Sequence, residues 1–86
     1  MWTTSRYAAA ETKNIARQLA EIFNQNYYAR GKHTIEQLAN DARRKGEERI
    51  FIIEEKDKQA NELSVIAIDE LGQWQRLGIM GIGDEI

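Results

Sequence analysis

Eighty-six residues at 9.9 kDa make one domain with no room for a large enzyme carrying a separate cofactor domain, and 42% hydrophobic with 30% charged residues is too apolar for a disordered chain. The chain has no cysteine and His33 is its one histidine, which excludes disulfides, thiolate zinc sites, cysteine nucleophiles and histidine-rich metal sites, so no metal or cofactor is expected. The net charge of -2 hides an asymmetry: residues 1–46 carry eight bases against four acids and residues 47–86 four bases against ten acids, a balance that argues against nonspecific nucleic-acid coating yet permits a basic face.

The opening Met1-Trp2-Thr3-Thr4-Ser5-Arg6 has no apolar h-region, so no signal peptide is read. No apolar run exceeds the four residues seen in Ile50–Ile53, far below the roughly 18 needed to span a bilayer. A cytoplasmic protein is expected. Residues 1–5, Thr-rich and containing Trp2, suit a first strand. From Ala8 the pattern turns helical, with Ala8, Thr12, Ile15, Ala16, Leu19, Ile22 and Phe23 on one stripe and Arg6, Lys13, Arg17 and Asn24 opposite. Asn24-Gln25-Asn26 breaks the helix, and Tyr27-Tyr28-Ala29-Arg30 reads as an aromatic second strand.

Thr34 with Gln37 three residues on is a capping box, and Ile35, Leu38, Ala39 and Ala42 form the apolar face of a second helix. Arg43-Arg44-Lys45 meet the negative end of its dipole, and Gly46 closes it in the left-handed conformation. Arg49-Ile50-Phe51-Ile52-Ile53 is apolar on both faces, the pattern of a central strand covered on both sides. A polar turn at residues 57–61 leads to a strand at Leu63–Ile68, paired antiparallel with it. After the Leu71-Gly72 turn, Gln73–Met80 reads as a last strand that Gly78, Gly81 and Gly83 weaken, hence an edge or a mobile tail. The predicted class is α/β, a mixed sheet in β-α-β-α-β-β-β order, with Ile15, Leu19, Ile22, Leu38, Ile50, Ile52, Val65 and Ile66 buried.

Parallel first and second strands send their carboxyl ends to one edge, which makes neighbours of the Ser5-Arg6-Tyr7 and Arg30-Gly31-Lys32-His33 loops. Three cations, a glycine and two sets of helix N–H groups then describe a phosphate site, although the same residues also suit solvated turns. Lys13 and Arg17 extend the basic strip along the first helix or form an ordinary wet face. Arg43-Arg44-Lys45 lies at the far end of its helix, away from that edge. His33 reads as the polar residue ahead of the Thr34 cap. The carboxylate pairs at residues 47–48, 54–55 and 69–70 are strand neighbours on opposite faces and do not make an acid/base pair. Trp2, Tyr27, Tyr28 and Trp74 suit either base stacking or the core. No Gly-rich phosphate loop is present, and no catalysis is expected.

Thr3-Thr4-Ser5-Arg6, Arg30-Gly31-Lys32 ahead of a capped helix, Leu38 through Gly46, and Arg49-Ile50-Phe51-Ile52-Ile53-Glu54, followed by Gly72 and Trp74, resemble in their order and spacing the N-terminal half of the Brix family over roughly residues 2–80. Members of that family act in ribosome assembly and rRNA processing, and its fold is similar to the anticodon-binding domain of class IIa aminoacyl-tRNA synthetases. The resemblance implies a single half-Brix-like α/β domain over residues 1–86 and a non-catalytic factor contacting rRNA or pre-ribosomal RNA in an archaeal cytoplasm. Ser5, Arg6, Arg30, Gly31 and Lys32 would face the RNA, with Lys13 and Arg17 continuing the surface. Family members carry two such halves, so a homodimer or a partner chain would supply the other. The alternative is a protein-interaction module that docks a ribosomal or assembly partner through the acidic second part and its apolar tail Leu77-Gly78-Ile79-Met80-Gly81-Ile82.

Overall fold

The computed structural model describes residues 1–82. They form β1 (Trp2–Thr4), α1 (Ala10–Ile22), α2 (Ile35–Arg44), β2 (Arg49–Lys56), β3 (Gln59–Ile68) and β4 (Trp74–Gly81). The strands make one sheet in the order β1-β2-β3-β4, with β1 parallel to β2 and the other pairs antiparallel. The mixed α/β class expected from the sequence is therefore the one observed. The expected strand at Tyr27–Arg30 is reduced to a single parallel bridge between Trp2 and Tyr27, so the element order is β-α-α-β-β-β.

That difference has a local cause. The Trp2 amide donates to the Asn26 carbonyl and the Tyr28 amide to the Trp2 carbonyl, both at 2.8 Å, but a three-residue β1 offers little further ladder. Its last carbonyl, on Thr4, accepts instead from the Arg30 guanidinium at 2.8 Å. A side chain takes the place of the next backbone rung.

The period-two alternation of β2 explains the layers. Ile50 and Ile52, buried with Met1, Ile66 and Ile68, face the apolar side of α2 at Leu38, Ala39 and Ala42. Ile53 and the half-buried Phe51 point the other way, into a cluster with Trp2, Leu63 and the Ala16 and Ala20 face of α1. One helix thus covers each face, and β2 lies between β1 and β3, as its two-sided apolarity requires.

Both ends of α2 follow local sequence rules. The Gln37 amide donates to the Thr34 hydroxyl and the Thr34 amide to the Gln37 side chain, a reciprocal capping box. At the other end Gly46 takes φ +77°, and the Gly46 and Glu47 amides return to the carbonyls of Arg43 and Ala42, the double closure of a Schellman turn. The β2–β3 turn is tighter than the sequence suggests. Asp57 and Lys58 alone form it, both at positive φ (54° and 64°), the two-residue geometry that matches strand twist, so β3 begins at Gln59 instead of Leu63.

On α1 the buried line runs through Thr12, Ala16 and Ala20. Each helical residue advances about 100°, so Ile22 lies roughly 120° round from Ala16 and roughly 160° from Ala20. It is 72% exposed, which corrects the expectation that it is buried. Small residues on the contact line let the helix sit close to the sheet, and Ile15 and Leu19 flank it half-buried, as does Val65 on its strand. Phe23, 58% exposed, still stacks on Trp2 at 5.6 Å between centroids, and Trp2 in turn stacks on Phe51 at 4.7 Å. The last strand is the expected edge, exposed at every residue from Trp74 to Gly81; Gly83 lies outside the described residues.

Truncating Ile52 to Ala is expected to cost about 2 to 5 kcal/mol in urea unfolding, by lost burial and residual cavity. Ile22→Ala should shift stability by less than about 0.5 kcal/mol, and an equal loss at both positions would contradict the packing described.

Candidate functional site

The carboxyl ends of β1 and the Tyr27 bridge do bring the two basic loops together. Ser5 is held by its amide, which donates to the Ile53 carbonyl at 2.9 Å, and the chain then turns out through Arg6 and Tyr7, the latter at φ +59°. Beside it, Gly31 at φ +55° and Lys32 form an exposed turn leading through His33 to the cap of α2. Arg6 and Lys32 are exposed and free to meet a ligand.

Arg30 is not. It is 8% exposed, its Nε donates to the His33 carbonyl at 2.7 Å and its Nη1 to the Thr4 carbonyl at 2.8 Å. Burial, then the neighbouring Arg6 charge, push the guanidinium below its ordinary pKa, and Glu54 opposes them. The fork ties the end of β1 to the start of α2, so Arg30 builds the edge on which Arg6 and Lys32 stand. The His33 amide and Nδ1 both lie within 3.1 Å of the Arg30 carbonyl, which completes the loop.

At each helix N-terminus a side chain of the chain itself takes up part of the positive end. The Ala9 amide donates to Glu55 Oε2 at 2.9 Å, and the Thr12 hydroxyl donates to the same oxygen. A carboxylate from the end of β2 therefore occupies the positive end of the α1 dipole, where a bound anion would sit. At α2 the Thr34–Gln37 capping box fills the equivalent place.

Of the remaining sequence candidates, Lys13 is exposed on α1. Arg17 is exposed one turn on, bonded to Asn14 at 3.0 Å and poised 5.2 Å over the Tyr27 ring. Tyr28 receives Lys45 over its ring at 3.7 Å, and Trp2 is buried, its indole N–H donating to Gln25. Three of the four aromatic candidates are thus engaged within the chain. Trp74, 39% exposed, is the exception. It shares an open groove with Arg6, Arg30 and the N-terminal residues of α2, a grouping that joins chain positions some 70 apart and has no local signature. Among the described residues no three metal-ligating side chains cluster, and no helix is long and apolar enough to cross a membrane.

The architecture is that of a four-stranded mixed sheet with one helix on each face and solvent-facing cations along the carboxyl edge of its parallel strands. Solved structures similar to it include an archaeal Imp4-like protein, 22% identical, with 93% of this chain and 48% of that chain covered and a TM-score of 0.77. Another is a probable ribosomal biogenesis protein from Aeropyrum pernix K1, 22% identical, covering 94% of this chain and 46% of that chain with a TM-score of 0.86. The chain spans about half the length of each. No protein-family model matches the chain, and no curated protein does.

Arg30→Ala strands two carbonyls that a charged donor now satisfies and is expected to cost about 2 to 3 kcal/mol in chemical unfolding. Arg30→Lys should recover little of it, because a single ammonium does not span both acceptors as the planar fork does. A neutral Arg30→Ala variant with weakened ligand binding would return Arg30 to the list of direct contacts.

Proposed function

We propose that the chain is a non-catalytic, RNA-binding ribosome biogenesis factor that acts in rRNA processing or ribosomal subunit assembly in an archaeal cytoplasm. The observation that carries the reading is the match of 94% of the chain, at a TM-score of 0.86, to half of a probable ribosomal biogenesis protein. The resemblance of its short basic motifs to the N-terminal half of the Brix family, whose fold is similar to the synthetase anticodon-binding domain, points the same way. The proposed RNA-facing surface comprises Ser5, Arg6, Lys13, Arg17, Gly31 and Lys32, with Arg30 holding its loops in place.

Four exposed cations, Arg6, Lys13, Arg17 and Lys32, set the expected electrostatics. At roughly -0.7 per contact with a single strand, log K against log salt should slope by about -3. Lys13→Ala and Lys32→Ala should each flatten it by about 0.7, whereas Arg43→Ala, at the far end of α2, should leave it unchanged. Equal losses at all three sites would show a diffuse field in place of a defined surface.

A homodimer, or a partner chain supplying a second half, belongs to the same reading. Among the described residues β4 has an unpaired edge, and it carries Leu77, Ile79 and Met80, each at least half exposed. Sedimentation at micromolar concentration is expected to give twice the 9.9 kDa monomer mass. A monomer that persists with RNA bound would leave a separate partner as the source of the second half. The same strand supports the second reading, a protein-interaction module that docks an assembly partner on this edge. In that case binding should survive high salt and Arg6→Ala alike.

A further inference from the structure

On the sheet face that α2 covers, Ile50, Ile52, Ile66 and Ile68 are buried, but the next strand out, β4, is exposed throughout. An open groove of ≈ 420 Å³ therefore runs beside α2, walled by Arg6, Arg30, Thr34, Ile35, Glu36 and Trp74. Its size lies within the roughly 300 to 1,000 Å³ usual for small-molecule sites.

Its chemistry is mixed in a specific way. Trp74 pairs with Ile68 and Arg76 with Ile66, and cross-strand partners share a face, so Trp74 and Arg76 both stand on the α2 side of β4. Arg6 is exposed at the other wall, and Arg30 presents its guanidinium with Nε and Nη1 already committed to carbonyls. An aromatic platform flanked by cations fits a nucleotide better than it fits an apolar peptide, whose side chains would meet two guanidinium groups. The exposed Glu36 carboxylate repels phosphate from its own wall and offers an acceptor to N–H groups.

We propose that this groove holds one unpaired nucleotide of a single-stranded RNA, its base stacked on the Trp74 indole, its phosphate toward Arg6 and Arg76, and its base edge donating to Glu36. The inference rests on the RNA-binding reading above and deepens it. It carries a sequence preference: adenine and cytosine present an exocyclic amino group to Glu36, whereas uracil presents a carbonyl at that position.

The test uses the intact chain and three eight-nucleotide oligomers, (rA)8, (rC)8 and (rU)8, at fixed low salt. Trp2 is buried between Phe23 and Phe51, so quenching of tryptophan fluorescence reports on Trp74. Quenching by (rA)8 and (rC)8, and weaker binding of (rU)8, are expected. Trp74→Ala should weaken binding by about 5- to 100-fold, with Trp74→Phe recovering part of it. Glu36→Gln should narrow the preference over (rU)8. All three substituted residues are exposed, and circular dichroism checks that each variant is folded. Wild-type affinity in both Trp74→Ala and Arg6→Ala, or duplex RNA bound as tightly as single strands, would overturn the groove while leaving RNA binding intact. No binding of any oligomer would remove the functional reading with it.

Discussion

A small chain that must cover both faces of a sheet has few large side chains to do so with, and here the two-sided strand Ile50–Ile53 carries that requirement. Ile50, Ile52 and Ile53 are all within 2% of complete burial. Because side chains alternate, the strand cannot slip by one residue without exchanging the α1 and α2 clusters, so its register dictates which helix lies on which face. β1 is short enough to need an external reference, and it takes one by pairing parallel with Phe51, Ile52 and Ile53. The basic edge is then placed by the end of β1 and is displaced whenever that pairing is.

The second constraint acts at the edge itself, where the chain uses its own charges first. Glu55 sits at the α1 N-terminus, and Arg30 is buried against two carbonyls. An edge rich in ionisable residues thereby spends part of its charge on its own backbone and helix ends, leaving Arg6 and Lys32 exposed. This suits a weak, distributed contact with a polyanion more than a tight site for an isolated phosphate. Among the exposed aromatic residues, Trp74 is the one that lines a groove together with Arg6 and Arg30.

What was legible in the sequence was what local chemistry decides. The Thr34–Gln37 box, the left-handed Gly46 and the two-faced apolar run each depend on residues a few positions apart, and each is seen where the pattern put it. The misread positions depend on distant competition. Tyr27–Arg30 has strand propensity, yet the Thr4 carbonyl is taken by Arg30, a choice invisible at the level of spacing. Ile22 belongs to a helical stripe by count, but alanines at 16 and 20 define the contact line because the sheet approaches closest there. Arg30 makes two backbone hydrogen bonds that spacing does not announce, since a charge gives no local sign of being spent on carbonyls. The Trp74 groove is the extreme case, joining loops from both ends of the chain across α2.

β4 serves two proposed roles, and their geometry keeps them apart. Pairing of its free edge with another strand would use backbone groups that lie in the plane of the sheet. The groove is lined by Trp74, whose side chain, like that of Arg76, stands perpendicular to that plane on the α2 side. Met80, paired with Leu63, projects to the opposite face, and Ile79, paired with Ser64, stands on the α2 side but five residues along the strand from Trp74. Assembly along this edge would therefore leave both grooves open and join two weak RNA contacts into one particle. A second contact on the same strand becomes intramolecular once the first is made, and with a matched span such coupling raises affinity by about 10²- to 10⁴-fold without any new contact. For the proposed RNA surface, which has four exposed cations, that coupling would add affinity without adding charge.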